Sequence, residues 1–250
     1  MKANFGIAGL AALLCLGSTV ANAAADAPVR CSFVHDDLML AVSDPPPGRE
    51  KEYNDFFGNV HIPEVVSRGI GFEGAQRFIV RAHLGAAPWK YLSLYALSRY
   101  NQVAKTGVKF KPGPTTPTPP AHYLADGSAA WILARVAPGD TNAADRQAAC
   151  ASGQKLFVVL SAPPARPGLE ELARTVPGLK DAVRYEFKTP TKGGPAPWID
   201  MVVLRATPDV DVPATLSRLG AAVGCTQAAC PESSGAVWAV EPLAEYLHSP

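Results

Sequence analysis

Three side chains able to hold a ligand or carry a proton recur at every fourth residue near residue 60. Tyr53, Phe57 and His61 stand about one helical turn apart, so a helix over this segment places all three on one face. An imidazole titrates near neutral pH and can pass a proton to or from an enolisable substrate. The spacing therefore predicts His61 as the proton carrier of an internal site. The alternative is a histidine that closes the helix or bonds a backbone carbonyl.

Aromatic residues complete this predicted site. Tyr53 and Tyr95 are predicted to act with His61, because their hydroxyls can orient a substrate oxygen. Phe57, Trp89 and Tyr91 are predicted to line the space around a small apolar or aromatic ligand. The alternative for each tyrosine is an ordinary place in the core or in a pocket wall.

A helix and three strands must position these side chains. Residues 49–67 are predicted to be helical, with Pro63 interrupting or kinking the helix and glycines at 69 and 71 at its exit. Apolar runs at 38–43, 72–83 and 89–97 predict strands, which would form the sheet beneath the helix. Residues 130–136 predict the last strand of this part of the chain, and a short helix is expected near 98–106.

The chain contains a degenerate internal repeat, which extends this pattern to the second half. Four matches occur in the same order: residues 38–46 with 156–164, 71–78 with 178–185, 87–89 with 196–198, and Trp131 with Trp238. The second copy predicts strands at 155–160, 179–188, 199–206 and 236–240. Its helices follow two apolar sets, Leu169, Leu172, Ala173 and Val176, then Val212, Leu216, Leu219 and Val223.

Each half therefore reads as β-α-β-β-α-β, an arrangement that places both helices on one face of a four-stranded sheet. The other face is also apolar and needs a cover. We predict an α+β protein of two ferredoxin-like repeats packed sheet to sheet, residues 24–140 and 141–250, which would be a monomeric pseudo-dimer.

The first repeat resembles the EthD-like members of the dimeric α/β-barrel superfamily. The resemblance lies in Tyr53-Asn54-Asp55-Phe56-Phe57, the following His61-Ile62-Pro63-Glu64, Gly69-x-Gly71-Phe72, Arg77-Phe78 and Pro88-x-x-Tyr91-Leu92-x-Leu94-Tyr95. It covers residues 38–136, and the second half, as a tandem fusion, matches in pattern only. The resemblance implies an antiparallel barrel with a pocket between each sheet and its helices. It also implies cofactor-independent chemistry such as isomerisation, cyclisation, decarboxylation or oxygenation.

The second half lacks the features of the predicted site. Gly168 stands near the place where His61 would align, and the aromatic pair is missing. Any chemistry is therefore expected in the first half, with the second half acting as a built-in partner subunit.

The first 23 residues predict export. Lys2 precedes an uncharged apolar run from Phe5 to Val20, and Ala21-Asn22-Ala23 offers a cleavage site, so a signal peptide at 1–23 and a periplasmic or secreted protein are expected. The alternative is a retained anchor. Four of the five cysteines follow this segment, and in an oxidising compartment we favour the pairs Cys225–Cys230 and Cys31–Cys150 over free thiols.

Composition excludes other classes of function. Without residues 1–23 the chain has 22 basic and 22 acidic residues, which gives no electrostatic footprint for nucleic acid or anionic lipid. A formal Gly69-x-Gly71-x-x-Gly74 motif follows a helix and precedes a strand, the reverse of a dinucleotide-binding turn. We expect no cofactor, no metal and no membrane insertion after cleavage. We predict a protein that binds a small apolar molecule or serves as an envelope scaffold. The alternative is an EthD-like enzyme that uses His61.

Overall fold

The structure is a computed structural model, and it describes residues 35, 37–68, 71–85, 89–97, 121–123, 127–136, 155–162, 168–193, 196–226, 230, 235–243 and 247–248. The predicted signal peptide, the predicted helix near 98–106, the join between the repeats, Cys31 and Cys150 lie outside these residues. Across the described residues, no helix has the length and apolar character needed to span a bilayer.

The eight predicted strands are present, and a short ninth follows them. They are β1 Asp37–Ser43, β2 Phe72–Leu84, β3 Tyr91–Leu97, β4 Ala129–Arg135, β5 Leu156–Ser161, β6 Leu179–Lys192, β7 Asp200–Ala206, β8 Ala236–Pro242 and β9 Leu247–His248. The order is β3-β1-β4-β6-β7-β5-β8-β2, and β2 pairs back with β3. All these pairings are antiparallel, so the eight strands close into a barrel. β9 adds to the start of β2.

The two halves have the same internal strand order. It is β4-β1-β3-β2 in the first half and β8-β5-β7-β6 in the second. The two halves join edge to edge through β4–β6 and β2–β8, so their strands form one closed barrel. Closure leaves none of the eight strands with an unpaired edge, which removes a site for aggregation.

Alternating side chains bury both faces of this sheet. On β1, Leu38, Leu40 and Val42 point into the barrel, while Met39 and Ala41 pack outward against the covering helices. The four tryptophans of the chain gather in the barrel core: Trp89, Trp131, Trp198 and Trp238. Their ring centroids lie 5.7–6.3 Å apart in edge-to-face contacts. Aromatic pairs at this spacing stabilise a core beyond the area that they bury.

The helices lie on the outer face of the barrel. The first half has α1 Glu50–Phe56, a π-helical turn Phe57–His61 and α2 Ile62–Arg68, with a 3₁₀ turn at Ala121–Tyr123. The second half has a 3₁₀ turn Leu169–Glu171, α3 Leu172–Thr175 and α4 Val212–Ala222. The Asp211 side chain caps α4 by accepting a hydrogen bond from the Ala214 amide at 3.0 Å. After α4, Cys225 and Cys230, one of the two predicted pairs, form a disulfide.

Candidate functional site

The site lies in the first half, between the run α1–π turn–α2 and the outer face of the sheet. Pro63 has no amide hydrogen for the carbonyl four residues before it, so regular α-helical bonding cannot continue through this point. The helix instead widens into one π-helical turn immediately before Pro63. Phe57 and His61, at the two ends of this turn, are both buried. Single π turns within α-helices are frequent at functional sites.

Arg77 on β2 is the centre of the site. Its neighbour Phe78 points into the barrel, so Arg77 points outward, beneath the helix. Only 4% of Arg77 is exposed. Its guanidinium carbon lies 5.2 Å from the ring centre of Tyr53, 5.4 Å from that of Phe57 and 5.2 Å from that of Tyr91. Three rings therefore surround one buried cation.

Asn54 of α1 holds this guanidinium. Arg77 Nη2 donates to Asn54 Oδ1 at 3.0 Å, and Nη1 donates to the Asn54 backbone oxygen at 3.5 Å. Arg77 Nε is buried and has no hydrogen-bond acceptor among the atoms that the structure describes. Arg77 also forms no ion pair with any carboxylate of the described residues. A buried charge is normally paired with an opposite charge, so this arrangement is unusual.

His61 lies beside this charge among aromatic rings. Its ring stacks on Phe56 with centroids 5.7 Å apart and meets the edge of Phe57 at 5.1 Å. Phe56 in turn stacks on Tyr123 at 4.1 Å. Burial, with the nearby positive charge of Arg77, lowers the pKa of His61 from its ordinary 6.5 to about 4. The imidazole is therefore neutral at pH 7 and forms no hydrogen bond within the described part of the chain.

The tyrosines differ in their freedom to act. Tyr53 shares a 2.7 Å hydrogen bond with Ser43, and burial raises its pKa. Tyr95 packs against Phe72 with centroids 5.6 Å apart, and complete burial raises its pKa strongly. Both hydroxyls consequently stay protonated at neutral pH, although the charge of Arg77 lowers the pKa of each in part.

Tyr91 links the site to its rim. Its hydroxyl donates to the Glu50 carboxylate and accepts a 3.0 Å hydrogen bond from Asn54 Nδ2. Burial and the hydrogen bond to Glu50 raise the pKa of Tyr91. Glu50 also forms an ion pair with Lys90 at 2.6 Å. The Glu50 carboxylate thus accepts the hydrogen bond of Tyr91 and pairs with the charge of Lys90, and it does not neutralise Arg77.

Most of the predicted site residues come together here. Tyr53, Phe57, His61 and Tyr91 surround Arg77, and Tyr95 lies on the same outer face of the sheet within the α2 cluster. Trp89, the other predicted ligand contact, packs instead against the three other tryptophans in the barrel core.

Sequence reasoning missed Arg77 and Asn54 as site residues. A signal was present for Arg77: a charged residue precedes the apolar residues Phe78, Ile79 and Val80 inside a segment that predicts a buried strand. Asn54 carried no comparable signal, since an asparagine on a helix next to a buried face is usually solvated.

Comparisons with known proteins add no family. No protein family matches the chain, and no curated protein matches it. Among solved structures, an anthrone oxidase-like protein superposes with a TM-score of 0.42 at 10% identity, over 84% of this chain and 93% of that one. A candidate monooxygenase from Fusobacterium nucleatum gives a TM-score of 0.42 at 8% identity, over 85% and 94% of the respective chains. At these values neither neighbour informs the chemistry of this chain.

Proposed function

We propose that the protein binds a small aromatic molecule in the first half, between the π-helical turn and strands β2 and β3. One observation carries the proposal: Arg77 of β2 meets Asn54 and His61 of the covering helical run within a set of aromatic rings. Ligand sites are mostly apolar surfaces with a few convergent polar groups, and this cluster has that composition.

The proposal also covers the location and the domain organisation of the protein. We propose an exported, monomeric protein, periplasmic or secreted, made of two ferredoxin-like repeats whose first member is EthD-like. The repeated strand order and the edge-to-edge joins support the tandem arrangement. The uncharged apolar segment at residues 5–20 supports export. Under this proposal the second repeat completes the barrel and contributes no chemistry.

The alternative function is a cofactor-independent enzyme in which His61 carries a proton. It is favoured by the position of His61, Tyr53 and Tyr95 around a single positive charge. An imidazole with a pKa of about 4 is unprotonated at pH 7, so it would begin a reaction as the proton acceptor. A substrate anion beside it would raise its pKa and make it a stronger base. Replacing His61 by alanine would then abolish turnover.

The binding proposal is tested by titrating the full chain with 1-naphthol and 1-naphthoate while recording the NMR signals of the His61 ring and the Asn54 amide. We expect at least one probe to shift both signals. His61→Ala should weaken that binding by about 0.5–1.5 kcal/mol, roughly two- to tenfold. His83→Ala is the matched control, because His83 is exposed and bonds only the Gly85 carbonyl at 3.2 Å.

Two results would count against the proposal. Titrations that leave the His61 and Asn54 signals unchanged with both probes would favour the envelope scaffold. A His61→Ala protein that melts earlier yet binds with unchanged affinity would assign His61 a structural role.

A further inference from the structure

The strand registers place Arg77 and Arg184 at equivalent points of the two halves. In the first half, Arg77 faces Ser93 and Ile79 faces Tyr91 across β2 and β3. In the second half, Arg184 faces Val202 and Glu186 faces Asp200 across β6 and β7. Tyr91 and Asp200 are thus also equivalent, each facing the residue two places after the arginine.

The second half neutralises its arginine. Arg184 Nη2 forms an ion pair with Asp200 Oδ2 at 2.6 Å, and the Asp200 side chain is only 5% exposed. Ser161, on the neighbouring strand β5, donates to the same carboxylate at 3.4 Å. The partly buried cation therefore has an internal counter-ion.

The first half has a tyrosine where that counter-ion would stand. The Tyr91 hydroxyl is neutral and is turned to Glu50 and Asn54. The guanidinium has five N–H donors. Its hydrogen bonds to Asn54 use only the two terminal nitrogens, and Nε has no acceptor. Arg77 is therefore a buried cation with a free donor and no negative partner among the described side chains.

We propose that the ligand itself supplies this missing negative charge, as the carboxylate of a small aromatic acid bound to Arg77. This inference rests on the proposed function and assigns its ligand class. The planar guanidinium matches a carboxylate in geometry. Tyr53, Phe57 and Tyr91 offer ring surfaces for the aromatic body of the acid. In the π-helical turn Gly58, Asn59 and Val60 are exposed, and the proposal takes this turn as the route by which the acid enters.

The test compares 1-naphthoate with 1-naphthamide, which have the same aromatic body and differ in charge. Affinity is measured with the full chain at low and at physiological salt. We expect naphthoate to bind at least about tenfold more tightly, as a charge-assisted hydrogen bond in a buried site would give. The preference should persist at physiological salt, because buried pairs are screened far less than exposed ones.

Two substitutions should remove the preference, and a third should not. Arg77→Met removes the charge, and Tyr91→Asp places an internal carboxylate where Asp200 stands in the second half. Both should bring naphthoate down to the affinity of naphthamide. Arg81→Met is the control, because Arg81 lies on the same strand but is exposed and paired with Glu241 at 2.7 Å. Circular dichroism on each variant checks folding. Arg77→Gln, which also removes the charge, replaces Arg77→Met if that variant does not fold.

The outcomes distinguish a failure of the acid assignment from a failure of the proposed binding function. Equal affinity of the two probes for the wild-type chain would overturn the assignment of an acid while leaving the binding site in place. A preference that survives in Arg77→Met, or that disappears at physiological salt, would also overturn it. Absence of binding by both probes would overturn the proposed function as well.

Discussion

The two halves of the barrel share a strand order but cover their outer faces differently. In the second half, α3, α4 and the Cys225–Cys230 disulfide enclose a cluster made almost wholly of aliphatic side chains. In the first half, a longer helical run with a π turn covers a smaller apolar cluster and, next to it, the group around Arg77. Both outer faces contain a buried or partly buried arginine. In the second half that arginine is paired with a carboxylate beside an aliphatic cluster, whereas in the first half aromatic rings and an amide surround it.

The buried arginines express this difference most sharply. Arg184 has the Asp200 carboxylate as its counter-ion, whereas Arg77 is held by an amide and three rings. The aspartate of β7 and the tyrosine of β3 at equivalent positions account for the difference in counter-ion. Under the proposal, the same barrel frame holds one buried cation as a structural pair and leaves the other available for a ligand. Such availability typically lowers stability in return for function.

Replacing each arginine in turn by methionine tests this distinction, and we expect the largest change in stability from these substitutions. Arg184→Met leaves the Asp200 carboxylate buried without its counter-ion, and this should lower the free energy of unfolding by about 3 kcal/mol. Arg77→Met removes a buried charge that has no counter-ion among the described residues, and it leaves Asn54 Oδ1 without its donor. It should change the free energy of unfolding by less than about 1 kcal/mol, or raise it. Urea denaturation of both variants beside the wild type measures the difference.

Equal losses in the two variants would break the comparison. They would mean that the rings and Asn54 stabilise Arg77 as fully as a carboxylate stabilises Arg184. The first-half site would then be a structural element.

We also expect a part of the pH dependence of stability to come from His61 in the first half. The pKa of His61 is about 4 in the folded protein and near 6.5 in an unfolded chain, so the unfolded state binds the proton more readily. The stabilising contribution of neutral His61 is complete above pH 6.5 and is lost as the pH falls toward 4. The loss is about 3 kcal/mol, from roughly 1.4 kcal/mol for each pKa unit.

Urea denaturation at pH 7 and at pH 4 measures this contribution. His61→Leu should reduce the difference in unfolding free energy between the two pH values by that amount, and His83→Leu, at an exposed position, is the matched control. If His61→Leu retains the full wild-type difference, the imidazole is not held neutral by burial and by Arg77. The near-neutral proton carrier assumed from the sequence would then regain support.

Much of the frame was predictable from the sequence because apolar periodicity reports burial directly. The eight strands are found at the predicted places, with differences of a few residues at most ends. The way in which the sheet closes into a barrel was harder to predict from the sequence. Which edges meet depends on pairings between the halves, such as Trp131 with Pro190 and His83 with Trp238, that no local pattern specifies.

The site was predictable only where it followed helical spacing. Tyr53, Phe57 and His61 were found from their positions along one helix, although the π turn adds a residue to the turn between Phe57 and Ile62. Arg77 was missed because its role depends on which residues lie next to it on the neighbouring strand and on the covering helix, and the sequence does not show these contacts. Trp89 was placed at the site because it precedes β3, yet its ring belongs to the barrel core. A residue at a strand end can turn to either face, and packing decides which.

The smallest expected effect compares one glycine from each half. An added methyl at Gly220 in α4 would lie 2.6 Å from Leu84 Cδ1 and 3.0 Å from the Cys225 carbonyl oxygen, so Gly220→Ala should cost about 1–3 kcal/mol by overpacking. An added methyl at Gly58 in the π turn would meet nothing within 4 Å. Gly58→Ala should therefore stabilise the protein by up to about 1 kcal/mol, since alanine loses less chain entropy in a helix.

The two glycines therefore differ in what they contribute. Gly220 is required because a larger side chain does not fit between Leu84 and Cys225. At Gly58 there is space for a side chain, so the glycine there serves to keep the backbone of the π turn flexible. If the turn opens to admit the ligand, Gly58→Ala should also slow the association of 1-naphthoate, measured by stopped-flow fluorescence, with little change at Gly220→Ala. Thermal melting supplies the stability of both variants. A Gly58→Ala protein that melts earlier than the wild type would show that the turn needs the glycine for its shape. An unchanged rate of association with 1-naphthoate would place the route of entry elsewhere.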